Sequence, residues 1–304
     1  MPALPKPPWN TDALCQQLTA LLPGLRVEVV ASIGSTNTEL LARARSASAA
    51  RPDLAPRPCL LVAEHQTQGR GRQGKPWQSR AGASLTFSIS LPLSPLTWSG
   101  LSLAVGLALA EALDPPRAGQ APRLGIKWPN DLLLRDDTDA GAGPIGRKLG
   151  GILIETVQAG DRRLAVVGVG LNLLPQTLDP GAPALSWGQA DLQALHPGQS
   201  APAALACVAA PLLRALLDFE RAGFAPLRAR FAARDLLAGQ AVTTTLPGLP
   251  GGIADGVDDS GTLWLRVPGS AGSGAQRLPV GSGEVSLRAA ANSQTGAGHG
   301  APAC

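Results

Sequence analysis

KLGGILIETVQAGDRRLAVVGVGL, residues 148–171, holds two apolar runs, Lys148–Val157 and Leu164–Leu171, each of strand length. They read as a strand pair. Working outward, Leu124–Trp128 and Asp131–Leu134 flank Pro129-Asn130 and read as two strands with a sharp bend between them. SLTFSISL (Ser84–Leu91) alternates with period two, Cys59–Ala63 is an apolar strand, and Arg26–Ala31 alternates again. Helices are predicted over Thr11–Leu22, stopped by Pro23-Gly24, from Ser35-Thr36-Asn37 to about Arg45, and over 97–113, 203–218 and 223–235. Ser46–Pro58 and Asp136–Pro144 read as loops. The simplest layered solution is α+β: a mixed, largely antiparallel sheet with helices on one face.

Beyond Gly239 the texture changes to short Val/Thr/Leu stretches punctuated by glycine. AVTTTLPG, VDDSGTLWLRV with Asp259-Ser260-Gly261 as its turn, and QRLPVGSGEVSLR predict a small β-barrel-like domain. The chain thus divides into an N-terminal extension (1–25), a large domain (26–238), a small one (239–288) and a tail (289–304). The tail is poor in bulky apolar residues and is expected to be disordered.

Bulk composition narrows the function. Hydrophobic residues make up 44 % and charged residues 16 % of 304, which is globular. The net charge of +4 is mostly arginine and forms no dense basic block, so charge alone points to no nucleic-acid partner. Cys15, Cys59, Cys207 and Cys304, like His65, His196 and His299, are scattered, so no protein-ligated transition metal is expected. The N-terminus has no apolar core of signal-peptide length. The longest apolar run, Leu96–Leu113, contains Ser99, Ser102 and Glu111 and reads as a buried helix rather than a membrane span. A cytoplasmic enzyme without membrane contact is the expectation.

Four segments can carry chemistry. In EHQTQGRGRQGKPW (Glu64–Trp77), glycines let backbone N–H groups converge on an anion, and Arg70 and Arg72 add planar forks for carboxylate or phosphate. A solvated basic loop is the plain alternative. Lys127-Trp128-Pro129-Asn130-Asp131 sets a cation, an amide and a carboxylate around a proline bend, which suits a nucleotide triphosphate with Mg²⁺; an ordinary β-turn remains open. In KLGGILIE, Lys148 begins a strand beside the bare backbone of Gly150-Gly151. In VGVGLN (Val167–Asn172), strand glycines mark close approach by a ligand or by backbone.

The order Ser35-Thr36-Asn37, GRGRQGKPW, KWPND, KLGGILIE, VGVGLN and the terminal GEVSLR (Gly283–Arg288) resembles the biotin protein ligase family over roughly residues 32–288. The resemblance implies ATP-dependent activation of biotin to biotinyl-5′-AMP. Transfer follows to a lysine of a biotin carboxyl carrier domain, usually that of acetyl-CoA carboxylase. It implies that Ser35, Thr36, Asn37, Gln66, Arg70, Gly71, Arg72 and Lys148 line the biotin and adenylate site. Lys127, Asn130 and Asn172 would lie near ATP, Asp131 would be the carboxylate on the Mg²⁺ side, and Arg70, Arg72 and Lys148 would act in catalysis. It also implies an SH3-like form for the small domain. Some members carry an N-terminal winged helix-turn-helix and act as repressors. Here only a helix and a strand precede Ser35, so a ligase without specific DNA binding is expected. His65 stands where relatives often have an aromatic residue. A lipoate or octanoate ligase is the rival within the enzyme class, and a biotin-responsive DNA-binding repressor the rival outside it.

Overall fold

The alternation in SLTFSISL sorts bulky side chains to one face of a strand and small hydroxyls to the other, and the whole sheet is organised on that division. The computed structural model describes residues 9–50, 57–135, 145–159, 161–176, 188–246, 248–269, 274–280 and 288–289. Its large sheet contains β1 (Arg26–Ile33), β2 (Cys59–Gln66), β3 (Ser84–Pro92), β4 (Leu124–Lys127), β5 (Asp131–Leu134), β6 (Arg147–Ala159) and β7 (Arg162–Asn172). The spatial order is β1-β2-β3-β7-β6-β5-β4. Every neighbouring pair is antiparallel except β1 with β2. These two run parallel because α2 (Thr36–Ala50) crosses between them.

On the apolar face, Leu85, Phe87, Ile89 and Leu91 of β3 and Val167, Val169 and Leu171 of β7 pack in one core. That core also holds buried residues of α1 (Thr11–Thr19), α3 (Leu101–Leu113) and α4 (Ala201–Ala222). By length and composition α4 is apolar enough to cross a membrane, but its Leu205, Val208, Leu212 and Leu216 are buried in this core.

The expectation of helices on one face needs correction. Leu40, Leu41 and Ala44 of α2 form a second, smaller cluster with Leu61, Val157 and Val166 on the opposite side of the sheet. A crossover helix takes its side from the hand of the crossover, which composition does not report. Helix boundaries also differ: α1 stops at Thr19 and α4 runs Ala201–Ala222. The Ala-rich segment after Arg45 continues α2 to Ala50, as alanine's helix preference favours. Gly100, at φ +82°, delays the start of α3 to Leu101. The predicted 223–235 helix is a 3₁₀ turn followed by a short α5 (Arg228–Ala232). The Trp128–Pro129 peptide is cis.

The C-terminal strands β8 (Ala241–Leu246), β9 (Leu249–Val257), β10 (Leu263–Val267), β11 (Gln276–Val280) and β12 (Arg288–Ala289) follow the order β11-β10-β9-β8-β12, all antiparallel. Among the described residues this is an open sheet: β11 and β12 do not pair, so the expected barrel is not closed by these pairings. Its apolar residues, including Val242, Ala254, Leu263 and Leu265, join the same core as the large sheet. The Asp136–Pro144 loop, most of GEVSLR and the tail beyond Ala289 lie outside the described residues.

Candidate functional site

The second face of the sheet is covered by α2 at one end and is built of small residues at the other. Register places Ser88 opposite Gly168 and Thr86 opposite Gly170 across β3 and β7, and Gly151 of β6 opposite Gly170. Close packing explains both β7 glycines. A methyl group at Gly168 would come within 2.3 Å of Asn37 Oδ1, and one at Gly170 within 2.4 Å of Trp77 Cε2. The glycines of VGVGLN therefore let α2 and the glycine-rich loop come down onto the sheet.

At the first turn of α2, Ser35 Oγ accepts from Thr38 N at 3.4 Å and caps the helix. Ser35, Thr36 and Asn37 are all buried. Gln66 Oε1 accepts from Thr36 N at 2.7 Å and lies 3.1 Å from Thr36 Oγ1. Thr36 Oγ1 is 2.6 Å from Ser88 Oγ, and Ser88 donates to Asn37 Oδ1 at 2.6 Å. Ser88 spends its one proton on Asn37, so the single proton of Thr36 is shared between Ser88 Oγ and Gln66 Oε1. Asn37 Nδ2 then donates to Glu155 Oε2 (2.9 Å) and Leu153 O (3.2 Å). The Asn37 amide is thus spent inside the protein, whereas the NH₂ of Gln66 is still able to donate. Ser79 fixes the Gln66 backbone by accepting from its N–H at 2.8 Å. His65, the unusual residue, lies 3.5 Å through Nδ1 from Ser32 Oγ on β1.

The loop after β2 is a narrow hairpin with its own bonds. Gly71 N donates to Lys75 O at 2.7 Å and Trp77 N to Gly69 O at 2.9 Å, and Arg70 bridges Pro76. Gln73 sits at φ +55° in the tip. Arg70 and Lys75 are exposed, while Arg72 is half-buried. The Trp77 ring lies on Gly170, and its Nε1–H is buried with no hydrogen-bond partner in the structure. A buried donor without an acceptor is uncommon, and it marks this part of the loop as incompletely satisfied.

Arg72 Nη1 donates to Asn130 Oδ1 at 3.3 Å, joining the loop to the 127–131 bend. Asn130 Nδ2 in turn donates to Ile152 O at 2.9 Å. Lys148 Nζ lies 2.8 Å from Asp131 Oδ1. Burial is the main cause that lowers the Arg72 and Lys127 pKa values; Asp131 opposes it in both. For Lys127 the neighbouring charges of Lys148, Lys75 and Arg72 push further down. Several cations therefore surround one carboxylate, an arrangement that draws in a polyanion.

The mount of Lys148 is stiff. Its N–H donates to Gly188 O (3.2 Å) and its carbonyl accepts from Ala190 N (2.9 Å). Asn172 Nδ2 donates to Lys148 O and Ala190 O at 3.2 and 3.1 Å. What the structure shows of Asn172 is a brace for the Lys148 backbone. Among the described residues no group of three or more His, Cys, Asp or Glu side chains is arranged for a metal ion. The donor set suits a cation that arrives on phosphate oxygens, with Asp131 as the carboxylate beside it.

Sequence reasoning found the motif residues but missed Ser88, Ser79 and Glu155. Ser88 had a signal, the small hydroxyls on one face of SLTFSISL. Glu155 had none beyond its place at the end of KLGGILIE.

The model of the biotin/lipoate A/B protein ligase family matches residues 29–172. The chain is 37 % identical over 292 residues to a biotin–[acetyl-CoA-carboxylase] ligase of Mycobacterium tuberculosis, covering 92 % of this chain and 96 % of the relative. It is 32 % identical to the bifunctional ligase/repressor BirA of Escherichia coli, covering 95 % of this chain and 81 % of the relative. In fold it is similar to a biotin protein ligase of Aquifex aeolicus solved with biotin and ATP, with a TM-score of 0.64 and 23 % identity. That match covers 87 % of this chain and 99 % of the other.

Proposed function

The chain belongs to the biotin/lipoate A/B protein ligase family, and we propose that it joins biotin to a lysine of a biotin carboxyl carrier domain, that of acetyl-CoA carboxylase, using ATP. The observation that carries this reading is the meeting of Arg72, Asn130, Asp131 and Lys148 from three separated motifs, beside a sheet face floored by Gly168 and Gly170.

In the first half-reaction a biotin carboxylate oxygen attacks the α-phosphorus of ATP, the new O–P bond forms, and pyrophosphate leaves. Both reactants are anions. Arg70, Arg72, Lys127 and Lys148 offset that repulsion and hold the developing charge. Mg²⁺, carried by the triphosphate and met by Asp131, supplies further charge neutralisation when bound. The polar end of biotin meets the Ser35, Thr36 and Gln66 groups, and the loop with Gly71 and Trp77 covers the anhydride against water. Asn37 acts by holding the turn that presents Ser35 and Thr36, and Asn172 by holding Lys148. In the second half-reaction the acceptor amine attacks the acyl carbon, an amide forms, AMP leaves, and the amine proton passes to solvent.

The reading is of a cytoplasmic ligase without sequence-specific DNA binding; ahead of β1 the described residues form one helix, α1. The test is transfer of labelled biotin to a purified carrier domain with ATP and Mg²⁺, with lipoate and octanoate in parallel. Labelling by biotin alone supports it. Preferential transfer of lipoate or octanoate refutes it, and a footprint on a biotin-operon promoter at nanomolar protein refutes the DNA part.

A further inference from the structure

Trp128 of the Lys127–Asp131 bend packs in the large apolar core. It is fully buried, and its indole Nε1–H donates to Gly261 O at 3.1 Å, 133 residues further along the chain. Gly261 belongs to the turn between β9 and β10 of the C-terminal sheet.

That turn is rigid on its own account. Asp258 Oδ1 accepts from Ser260 N, Thr262 N and Ser260 Oγ at 2.9, 3.0 and 2.7 Å, and Oδ2 accepts from Trp264 Nε1 at 2.9 Å. It is also seated backbone on backbone. A methyl group at Gly261 would fall 2.6 Å from Gly100 Cα, and one at Gly100 would fall 2.9 Å from Ser260 O. Gly100 opens α3, and Ser102 on that helix donates to Pro129 O at 2.8 Å. The bend is thus held from behind at two consecutive residues, Trp128 by the turn and Pro129 by α3. Asn130 and Asp131 follow directly and project into the site.

We propose that Trp128 is a positioning residue: through its bond to Gly261, the C-terminal sheet sets where Lys127, Asn130 and Asp131 meet the nucleotide. The inference rests on the reading that these residues bind ATP. It gives the C-terminal sheet a part in the first half-reaction that needs no side chain of its own in the site. It also predicts selectivity. The hydrogen bonds of the Ser35–Thr36–Gln66 group among the described residues run within α2, β2, β3 and to Ser79, so nucleotide binding should respond and biotin binding should not.

The experiment uses the full chain. Trp128→Phe keeps an aromatic ring in the core and removes the N–H along with part of the ring system, so Asp258→Ala, which leaves that packing intact, is read beside it. Asp258→Ala loosens the turn without touching the bend. Gln276→Ala, at an exposed position on β11 at the end of the C-terminal sheet, is the control. Pyrophosphate–ATP exchange gives the KM for ATP and the rate, and calorimetry gives the biotin Kd without nucleotide. For Trp128→Phe and Asp258→Ala the KM for ATP should rise about tenfold, as expected for an unpaired buried carbonyl or a shifted ligand set, with biotin Kd within about twofold of wild type. Gln276→Ala should leave both near wild type. If ATP and biotin binding weaken together in both variants, or if neither variant changes the KM for ATP, the positioning role is refuted. Should Trp128→Phe fail to fold, Asp258→Ala decides alone by the same criteria. Wild-type protein that forms no biotinyl-AMP would instead sink the ligase reading.

Discussion

Lys148 Nζ and Asp131 Oδ1 stand 2.8 Å apart, both side chains only partly exposed, so the ammonium at the start of KLGGILIE is held by the carboxylate at the end of the KWPND bend. The pair ties the strand that carries Lys148 to the bend that carries Asn130. Lys148→Ala should slow adenylation by about two orders of magnitude, roughly 3 kcal/mol, because the lost charge acts where carboxylate meets phosphate. Adding Asp131→Ala to it should cost much less than Asp131→Ala costs alone, since residues in one ion pair are not additive. Pyrophosphate release in the four proteins of the cycle measures this; strict additivity would refute the coupling.

Arg72 has a different task. It reaches from the loop to Asn130 and should retain the adenylate once it is made. Arg72→Gly should still form biotinyl-AMP but release it about ten- to a hundredfold faster, the loss expected for a charged hydrogen bond of about 1.5–3 kcal/mol. Biotin should then appear on lysines of an added bystander protein. Wild-type retention of the adenylate in this variant would contradict the assignment.

Lys127 should reveal itself by pH. Burial, with the neighbouring cations, holds its ammonium below the ordinary lysine range, although Asp131 opposes the shift. The charged form is the one that attracts ATP. It is present below the lowered pKa and lost as pH rises through it. The alkaline fall of kcat/KM for ATP should therefore come at a lower pH than an ordinary lysine near ~10.4 would give. Lys127→Arg should move that fall upward, because arginine stays protonated. An unmoved alkaline limb would exclude Lys127 as its source.

Gly170 separates pocket shape from chemistry. Gly170→Ala places a methyl group against the Trp77 ring and should cost about 1–3 kcal/mol in strain or displacement. The loop gives way before the sheet does. Biotin Kd should weaken by roughly tenfold or more, converted from that cost, while the KM for ATP changes little. Unchanged biotin binding would show that Trp77 can move aside freely.

Strand periodicity and helix punctuation are local, and most of the elements they marked were found, from β3 with its alternating hydroxyls to the strands around Pro129-Asn130. Failures came where a neighbour decides. Gly100 is an unremarkable loop glycine in sequence, yet its φ of +82° and its contact with the C-terminal turn set where α3 begins. Asn37 and Asn172 stand out in their motifs, but the partners of their side chains were not legible. Each amide is committed to partners whose proximity no spacing rule announces, Glu155 for Asn37 and the Lys148 and Ala190 carbonyls for Asn172.

From sequence alone came the α+β class, the strand runs, the motif residues and, through their order, the ligase family. These are determined by patterns repeating over two to four residues and by motifs short enough to read in one stretch. Only the tertiary structure decided which face α2 covers, that Asn37 reaches Glu155 across 118 residues, that Arg72 meets Asn130 across 58, and that Trp128 reaches Gly261 across 133. Those contacts follow from strand order and from the side taken by a crossover. Both are settled by how the whole chain buries its two apolar clusters at once, and no local window of the sequence contains that balance.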